Sequence, residues 1–397
     1  MKNLNVPNLS FKREQSESCF DSAERVINQK LNVPNLRFPE FTGEYEKYNL
    51  GELGSTLIGL TYSPADVVSE GGTIVLRSSN IKNGVTNYDD IVRVNKKIKD
   101  SIITRTNDIL VCARNGSPRL IGKNAILKES DSNITFGAFM MIYRSNDNTY
   151  IHQLLSTKRF YSQVGENLGA RINQITTSDF NSFEFYFPKS KEERIKIASL
   201  LALIDKRIET QNKIIEQLQS LIKGIVVSIT SGKPNTNISK CLVCKSSTLQ
   251  ENQIEKCGDY PVYGANGVCG YTDKADFDSP AILIVKDGSG VGNVRYVNGD
   301  YSVIGTQNIL TAQNGYCLKY IFYCLKAFNF VPYKTGMAIP HIYFKDYGKA
   351  KIYCPDFVKQ VKIVSQIDLV ETKIEIETQL LNKYEEQKNF LLSNMFI

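Results

Sequence analysis

The sequence predicts an α+β protein: two tandem mixed α/β blocks separated by two long helices, which pair as an antiparallel coiled coil with pseudo-two-fold symmetry. Three observations predict it. First, Ile197, Leu201, Ile204, Ile208, Gln211, Ile215, Leu218, Ile222 and Ile225 follow one another at alternating steps of four and three, an unbroken heptad seam. Second, Ile363, Ile367, Val370, Ile374, Glu377, Leu381, Tyr384, Lys388 and Leu391 repeat those steps 166 residues later, and the polar Gln211 falls on Glu377. A polar group in an apolar seam weakens packing but fixes register and partner. Ile204, Ile208, Gln211 and Ile215 are therefore expected to pair with Val370, Ile374, Glu377 and Leu381. Third, the segments before the two helices are copies: a shift of 167 pairs Gly169 with Gly336, Ile172 with Ile339, Ile175 with Ile342, Asp179 with Asp346, Tyr186 with Tyr353 and Pro188 with Pro355.

The elements follow in order. Residues 1–39 form an N-terminal extension that opens on Leu4–Phe11 and closes on its near-duplicate Leu31–Phe38, with a polar stretch between them that reads as loosely attached. The first block, 40–188, has strands predicted at Thr73–Arg77, Ile109–Ala113, Phe139–Tyr143 and Phe183–Phe187, and a helix at Ile151–Val164. The turn signals Lys82-Asn83-Gly84 and Arg114-Asn115-Gly116 break the apolar runs. The first long helix, 189–230, starts after Pro188, with Ser190, Glu192 and Glu193 in its capping region. Residues 231–237 read as a linker by composition. The second block, 238–355, has strands at Ala281–Lys286, Asn293–Val297, Asn308–Ala312 and Lys349–Tyr353 and a helix at Leu318–Ala327; the second long helix occupies 356–397. Antiparallel pairing would turn the direct repeat into a spatial two-fold, with a block at each end of a rod of ~50 Å. Duplex DNA has its own dyads and returns its grooves every ~34–36 Å, so it suits such a frame.

Composition bounds the function. At 42% hydrophobic and 22% charged, the chain is neither disordered nor fibrous, and its net charge of +7 permits an acidic partner without requiring one. The first 30 residues are polar, which argues against a signal peptide, and no apolar run approaches the ~20 residues of a membrane span. Nine cysteines, mostly inside apolar runs such as Cys112, Cys317, Cys324 and Cys354, fit reduced thiols in a cytoplasm.

Motifs for chemistry fail on spacing. The loop Asp287-Gly288-Ser289-Gly290-Val291-Gly292 resembles a phosphate cradle, but such a loop needs a helix N-terminus after its glycines, and a strand around Arg295 follows. Cys241 and Cys244 have the spacing of a zinc pair, but Cys257 and Cys269 lie too far apart to complete the site. His152 and His341, the two histidines, lack a plausible nucleophile. We expect no catalytic residue and no metal. The loops instead offer groups that read base edges: Arg or Lys for guanine, Asn or Gln for adenine. The candidates are Arg77, Ser79, Asn80, Arg114, Asn115, Ser117, Arg119, Arg171, Asn173 and Gln174 in the first block, and Lys286, Ser289, Arg295, Thr306, Gln307 and His341 in the second. Arg114-Asn115-Gly116-Ser117 matches Lys286-Asp287-Gly288-Ser289 at an offset of 172.

These residues carry a resemblance. Asn35-Leu36-Arg37-Phe38-Pro39-Glu40-Phe41 leads into Leu50-Gly51-Glu52-Leu53, Tyr260-Pro261-Val262-Tyr263-Gly264-Ala265-Asn266-Gly267 precedes Gly270-Tyr271, and Pro188 and Pro355 open long helices. From about Leu31 to Ile397 the chain resembles the DNA-specificity subunit of type I restriction-modification systems. The resemblance implies two target-recognition domains, each reading half of a bipartite site in double-stranded DNA, and an antiparallel helical spacer. It also implies docked methyltransferase subunits that form an adenine methylase, and restriction subunits for ATP-driven cleavage. S-adenosylmethionine, ATP and Mg would sit on those partners, and the subunit itself would perform no chemistry, bind no membrane and work in the cytoplasm. Residues 1 to about 30 precede the family's usual start. Two rival readings are a stand-alone enzyme using the Asp287–Gly292 loop as a cofactor site, and an unpartnered DNA-binding paralogue that donates recognition domains by recombination.

Overall fold

The computed structural model describes residues 10–11, 32–131, 134–170, 173–336 and 339–397. The chain divides into two compact units, one comprising residues up to Thr210 with Leu381–Ile397, the other Gln211–Leu380.

The first unit is built on an antiparallel sheet in the order Asn124–Ile126, Ile109–Cys112, Met140–Arg144, Ser55–Ile58. Its central strand Ile109–Cys112 is apolar at every position because both faces are covered. Successive side chains alternate sides. Ile109 and Val111 join the core under the helices, while Leu110 and Cys112 join the core under a second sheet. That second sheet runs Thr135–Phe136, Thr73–Leu76, Val92–Val94, Val67–Val68, its first pair parallel. The hairpin Ile81–Lys82 to Val85–Thr86 turns through Asn83 and Gly84, both at positive φ, as the Lys-Asn-Gly signal predicts.

The second unit repeats this plan. Its antiparallel sheet runs Val294–Val297, Ala281–Val285, Gln307–Ala312, Leu242–Ser246. Ile282 and Ile284 face one core, Ala281 and Leu283 the other. A smaller sheet again holds one parallel pair, Tyr260–Gly264 with Ser302–Val303.

The long helices span Lys191–Thr230 and Phe357–Met395. In the first unit Ile197, Leu201 and Ile204 share a core with Leu391, Leu392 and Met395, and Asp205 meets Lys388 at 2.6 Å. Each buried aliphatic side chain there contributes ~1.5–3 kcal/mol. In the second unit Val226 shares a core with Val364 and Ile367, and the buried Gln211 donates through Nε2 to the backbone oxygen of Glu377 at 3.1 Å and to its carboxylate. Within each unit the two helices run antiparallel. Every seam position from Ile197 to Ile225 and from Ile363 to Leu391, including Ile208, Ile215, Val370, Ile374 and Leu381, is buried or half-buried.

Several expectations are corrected. The helix predicted at Ile151–Val164 is two, Asn148–Leu154 and Lys158–Ala170, because the Thr157 hydroxyl donates to Leu154 O at 2.7 Å and accepts from Phe160 N. Residues 231–237 are not a free linker. Asn235 exchanges two 2.8 Å hydrogen bonds with the backbone of Cys354, and Thr236–Asn237 pairs with Lys351–Ile352. Most of the extension lies outside the described residues, but its last part belongs to the first unit's core. Leu36 and Phe38 are buried, and Arg37 forms a bidentate pair at 2.7 and 2.8 Å with Glu193 in the first turn of the helix. Tyr45 donates to the same carboxylate at 3.0 Å. The hydrogen bond from Arg37 to Glu193 holds the Arg37 pKa above its ordinary value, while burial pushes the Tyr45 phenol up.

Candidate nucleic-acid interface

In the first unit the fold gathers three of the predicted loops. Ile109–Cys112 ends at Ala113, whose N–H bonds to Phe139 O and whose carbonyl accepts from Ile175 N. This brings Arg114 beside Gln174 as an isolated antiparallel bridge. The Arg114 guanidinium donates through Nε at 2.8 Å, and through Nη2, to Gln174 Oε1, and it lies 5.6 Å from the ring centroid of Phe139. Asn115 Nδ2 reaches Ser78 Oγ at 2.9 Å, tying in the loop that carries Arg77 and Ser79. Asn115 Oδ1 caps Ser117 N, and Asn173, in the left-handed region at φ 54°, donates to Gly116 O. Arg114, Arg119 and Ser79 are exposed; Asn115, Ser117, Asn173 and Gln174 are half-buried. Arg77 is paired with Asp90 at 2.6 Å. Arg171, and Ile172 beside it, lie outside the described residues.

The second unit gathers the equivalent loops. Lys286 N bonds to Thr306 O, Ile342 N to Lys286 O, and Gly288 N to Pro340 O. Asp287 thereby bridges His341 as Arg114 bridges Gln174. The strand ladders pair Cys112 with Met140 and Val285 with Gln307, so the true offset at this loop is 173, not 172. Arg114 therefore corresponds to Asp287, and the match to Lys286 is corrected. Ser289 and Thr306 are exposed; Arg295 is exposed on the neighbouring strand and lines a cavity of about 360 Å³ with Ala265, Asn293 and Lys326. His341 Nδ1 lies 3.1 Å from Ile339 O.

Two predicted readers face inward. Asn80 is 1% exposed, and its side chain bonds to Arg77 N and to the backbone oxygens of Asn87 and Asp90. Gln307 is 2% exposed and donates to Tyr263 O. Both brace backbone: Asn80 engages its whole amide, while Gln307 spends its amino group on Tyr263 O and lines the cavity beside Arg295. Two residues were missed. Phe139, 60% exposed beneath Arg114, reads in sequence as the first residue of a strand. Asp287 escapes a search directed at cations and amides.

The other motifs resolve locally. The Asp287–Gly292 loop runs into the strand Val294–Val297, with no helix to complete a phosphate cradle. Cys241 is buried against Cys354, Sγ to Sγ 3.8 Å, and the eight cysteines among the described residues are free. Among the described residues no group of three or more His, Cys, Asp or Glu could hold a metal, and no helix is long and apolar enough to cross a membrane.

One α/β plan used twice, with polar loops gathered at the same place in each unit and different side chains on them, defines a tandem recognition scaffold. The family model for the type I restriction modification DNA specificity domain matches residues 42–220 and 241–386, and the chain belongs to that family. It is 26% identical over 113 residues to the specificity subunit of the type I restriction enzyme EcoprrI of Escherichia coli, a match covering 28% of each chain. It is 24% identical over 257 residues to a type I specificity subunit of Mycoplasma genitalium, covering 57% of this chain. The matches thus span 28% and 65% of these curated relatives' own lengths. Among solved structures, the type I restriction-modification S subunit from M. genitalium superposes with a TM-score of 0.59 at 19% identity, covering 92% of this chain and 99% of that one. A chain from a study of assembly and conformational transition in the type I R-M system gives 0.51 at 12% identity, covering 89% and 97%. At these identities the two structures establish a shared fold.

Proposed function

We propose that the chain is the sequence-specific DNA-binding subunit of a type I restriction-modification complex. Each block, 40–188 and 238–355, reads one half of a bipartite target in double-stranded DNA. The observation that carries this reading is the pair of equivalent bridges, Arg114 with Gln174 and Asp287 with His341: a common frame presents different chemistry at the same point. The long helices act as a pseudo-symmetric coiled-coil spacer that sets the distance between half-sites. In support, Gln211 and Glu377, equivalent seam positions, bond to one another. Partner methyltransferase and restriction subunits supply catalysis together with S-adenosylmethionine, ATP and Mg, and the chain performs no chemistry of its own. The long helices leave Leu203, Leu221, Val358, Leu369 and Ile376 exposed outside the seam, apolar surface of the kind a docked subunit covers. In this role the chain works in the cytoplasm.

The test is co-purification with the methyltransferase subunit, followed by mapping of N6-methyladenine in DNA exposed to the complex. Two short specified blocks at a fixed gap are expected, with duplex binding that weakens as salt rises. A complex that methylates nothing, from a chain that binds no duplex, would end this reading.

A further inference from the structure

We infer that the residue couples at the two equivalent bridges are the base-reading pairs of the two units. Arg114, held by Gln174, presents two donors to a guanine, and Asp287, beside His341, presents an acceptor to the amino group of a cytosine. This rests on the function proposed above and assigns its specificity.

Arginine can only donate, so the atom of Gln174 that faces Arg114 is its oxygen. The Gln174 amino group is left to donate elsewhere. Arg114 spends Nε and Nη2 on that oxygen and keeps Nη1. Phe139 stands against the guanidinium and restricts its plane. The edge of the guanidinium turned away from Gln174, Nη1 with the second hydrogen of Nη2, is then a fork of two parallel donors on an exposed arginine. In the major groove, guanine is the base that offers two acceptors, N7 and O6, side by side.

The second couple has the opposite polarity. The Ile339 carbonyl only accepts, so His341 Nδ1 carries a hydrogen toward it, and that contact orients the ring. The ring is held in place. Gly336 has φ +89°, and a Cβ there would lie 2.9 Å from His341 Cε1 and 2.3 Å from Ile339 O, so no side chain fits at 336 without moving the ring. Thr335 and His341 exchange backbone hydrogen bonds of 2.9 and 2.8 Å across the same loop. Asp287, bridged to His341 by backbone, adds a carboxylate, which accepts. A carboxylate is the side chain that reads the N4 amine of cytosine, which in the duplex has one hydrogen free of its pairing with guanine.

The experiment uses the full chain co-expressed with its methyltransferase subunit, selecting from a randomised duplex pool and sequencing what is bound. The wild type is expected to select two specified blocks. Arg114→Ala should lose guanine preference about tenfold or more at one position of one block and leave the other block intact. Asp287→Ala should do the same for cytosine in the other block. The retained block shows in each case that the variant is folded. Arg114→Lys keeps the charge and loses the fork, so it should relax the same position while preserving the salt dependence. Uniform weakening on every sequence would reduce these residues to phosphate contacts and overturn the inference while sparing the proposed function. A wild-type complex without sequence preference would remove both.

Discussion

Where each unit's short helix meets its long helix, the two copies make the same contacts with different chemistry. In the first, Arg194 bridges Asp147 at 3.0 Å and Pro188 O at 2.8 Å. In the second, Gln360 accepts from Cys317 N at 2.9 Å and donates to Pro355 O at 2.7 Å. Asp147 and Cys317 each precede the short helix of their unit. Two turns along, Gln153 donates to Asp205 at 2.9 Å and Tyr323 donates to Glu371 at 2.9 Å. Between these contacts stands a buried His152 in one unit and a buried Phe322 in the other. What is held constant is the place where a donor meets an acceptor, and a buried polar group tolerates any partner that completes it. The difference lies at the start of the long helix, where the first unit pairs Arg194 with Asp147 and the second pairs neutral groups. Farther along, each unit sets a neutral donor against a carboxylate, and the second adds Lys319 against Asp368 and Glu371 at 2.6 and 3.1 Å.

The largest consequence concerns a contact that only the first unit makes. Glu193, 1% exposed, joins Arg37 and Tyr45, whereas the equivalent Lys359 is exposed. Removing one member of a buried pair leaves the other charge uncompensated. Glu193→Ala should destabilise the first unit by about 3 kcal/mol, read as a fall in the urea midpoint of its transition, while Lys359→Ala stays within ~0.5 kcal/mol. Equal losses would dissolve the distinction between the two helix starts.

Next in size is acid sensitivity. Burial, opposed by Asp205 and assisted by Lys388, lowers the His152 pKa to about 4 from its ordinary 6.5. The unfolded chain therefore takes a proton near pH 6.5 that the folded chain refuses until about pH 4. Stability from this position is complete above pH 6.5 and is lost as pH falls toward 4, on the order of 3 kcal/mol in all. His152→Phe, which borrows the second unit's residue, should flatten the first unit's stability between pH 6.5 and 4.5. Parallel pH curves for variant and wild type would show that the histidine takes no part. At the joint itself, Gln360→Ala strands the Cys317 N–H and the Pro355 carbonyl and should cost ~1–3 kcal/mol in the second unit. A change under 0.5 kcal/mol would mean that the neutral version of the joint carries no weight.

How much of this was legible follows from what each pattern encodes. The long helices and their register could be read because a heptad seam is a periodic signal and Gln211 interrupts it at the same step as Glu377. The central strands could be read because both faces of Ile109–Cys112 and Ala281–Val285 are covered, so their apolar runs are unbroken. The loops were legible only in composition. Asn80 and Gln307 look like Asn115 and Gln174, and nothing local tells an amide that faces out from one that braces backbone. Matching Arg-Asn-Gly-Ser to Lys-Asp-Gly-Ser followed chemical likeness and slipped one residue. The ladders put a cation on an anion there, and the slip hid the contrast between the two units. Residues 32–39 read as an extension because the partner of Arg37 lies 156 residues away.

The smallest effect tests the seam. Gln211 and Glu377 occupy the same position of the repeat, and in an antiparallel pair equivalents meet at one position only, which is where these two bond. Glu377 is also paired with Lys373 one turn earlier, and that contact, ahead of Gln211, holds its carboxyl below the usual range. Gln211→Leu alone leaves the carboxylate one hydrogen bond short but still paired, so it should cost only ~1 kcal/mol. Gln211→Leu with Glu377→Leu turns the seam wholly apolar and should recover that loss or exceed it, because well-packed apolar residues replace a buried polar pair without penalty. The price is specificity, since an all-apolar seam no longer distinguishes this register from a shift by one heptad. Thermal unfolding of the single and double variants measures the coupling, and cross-linking between cysteines placed at positions 204 and 384 reports the register. A double variant that loses as much stability as the sum of its singles would show two independent polar residues where the repeat has set one matched pair.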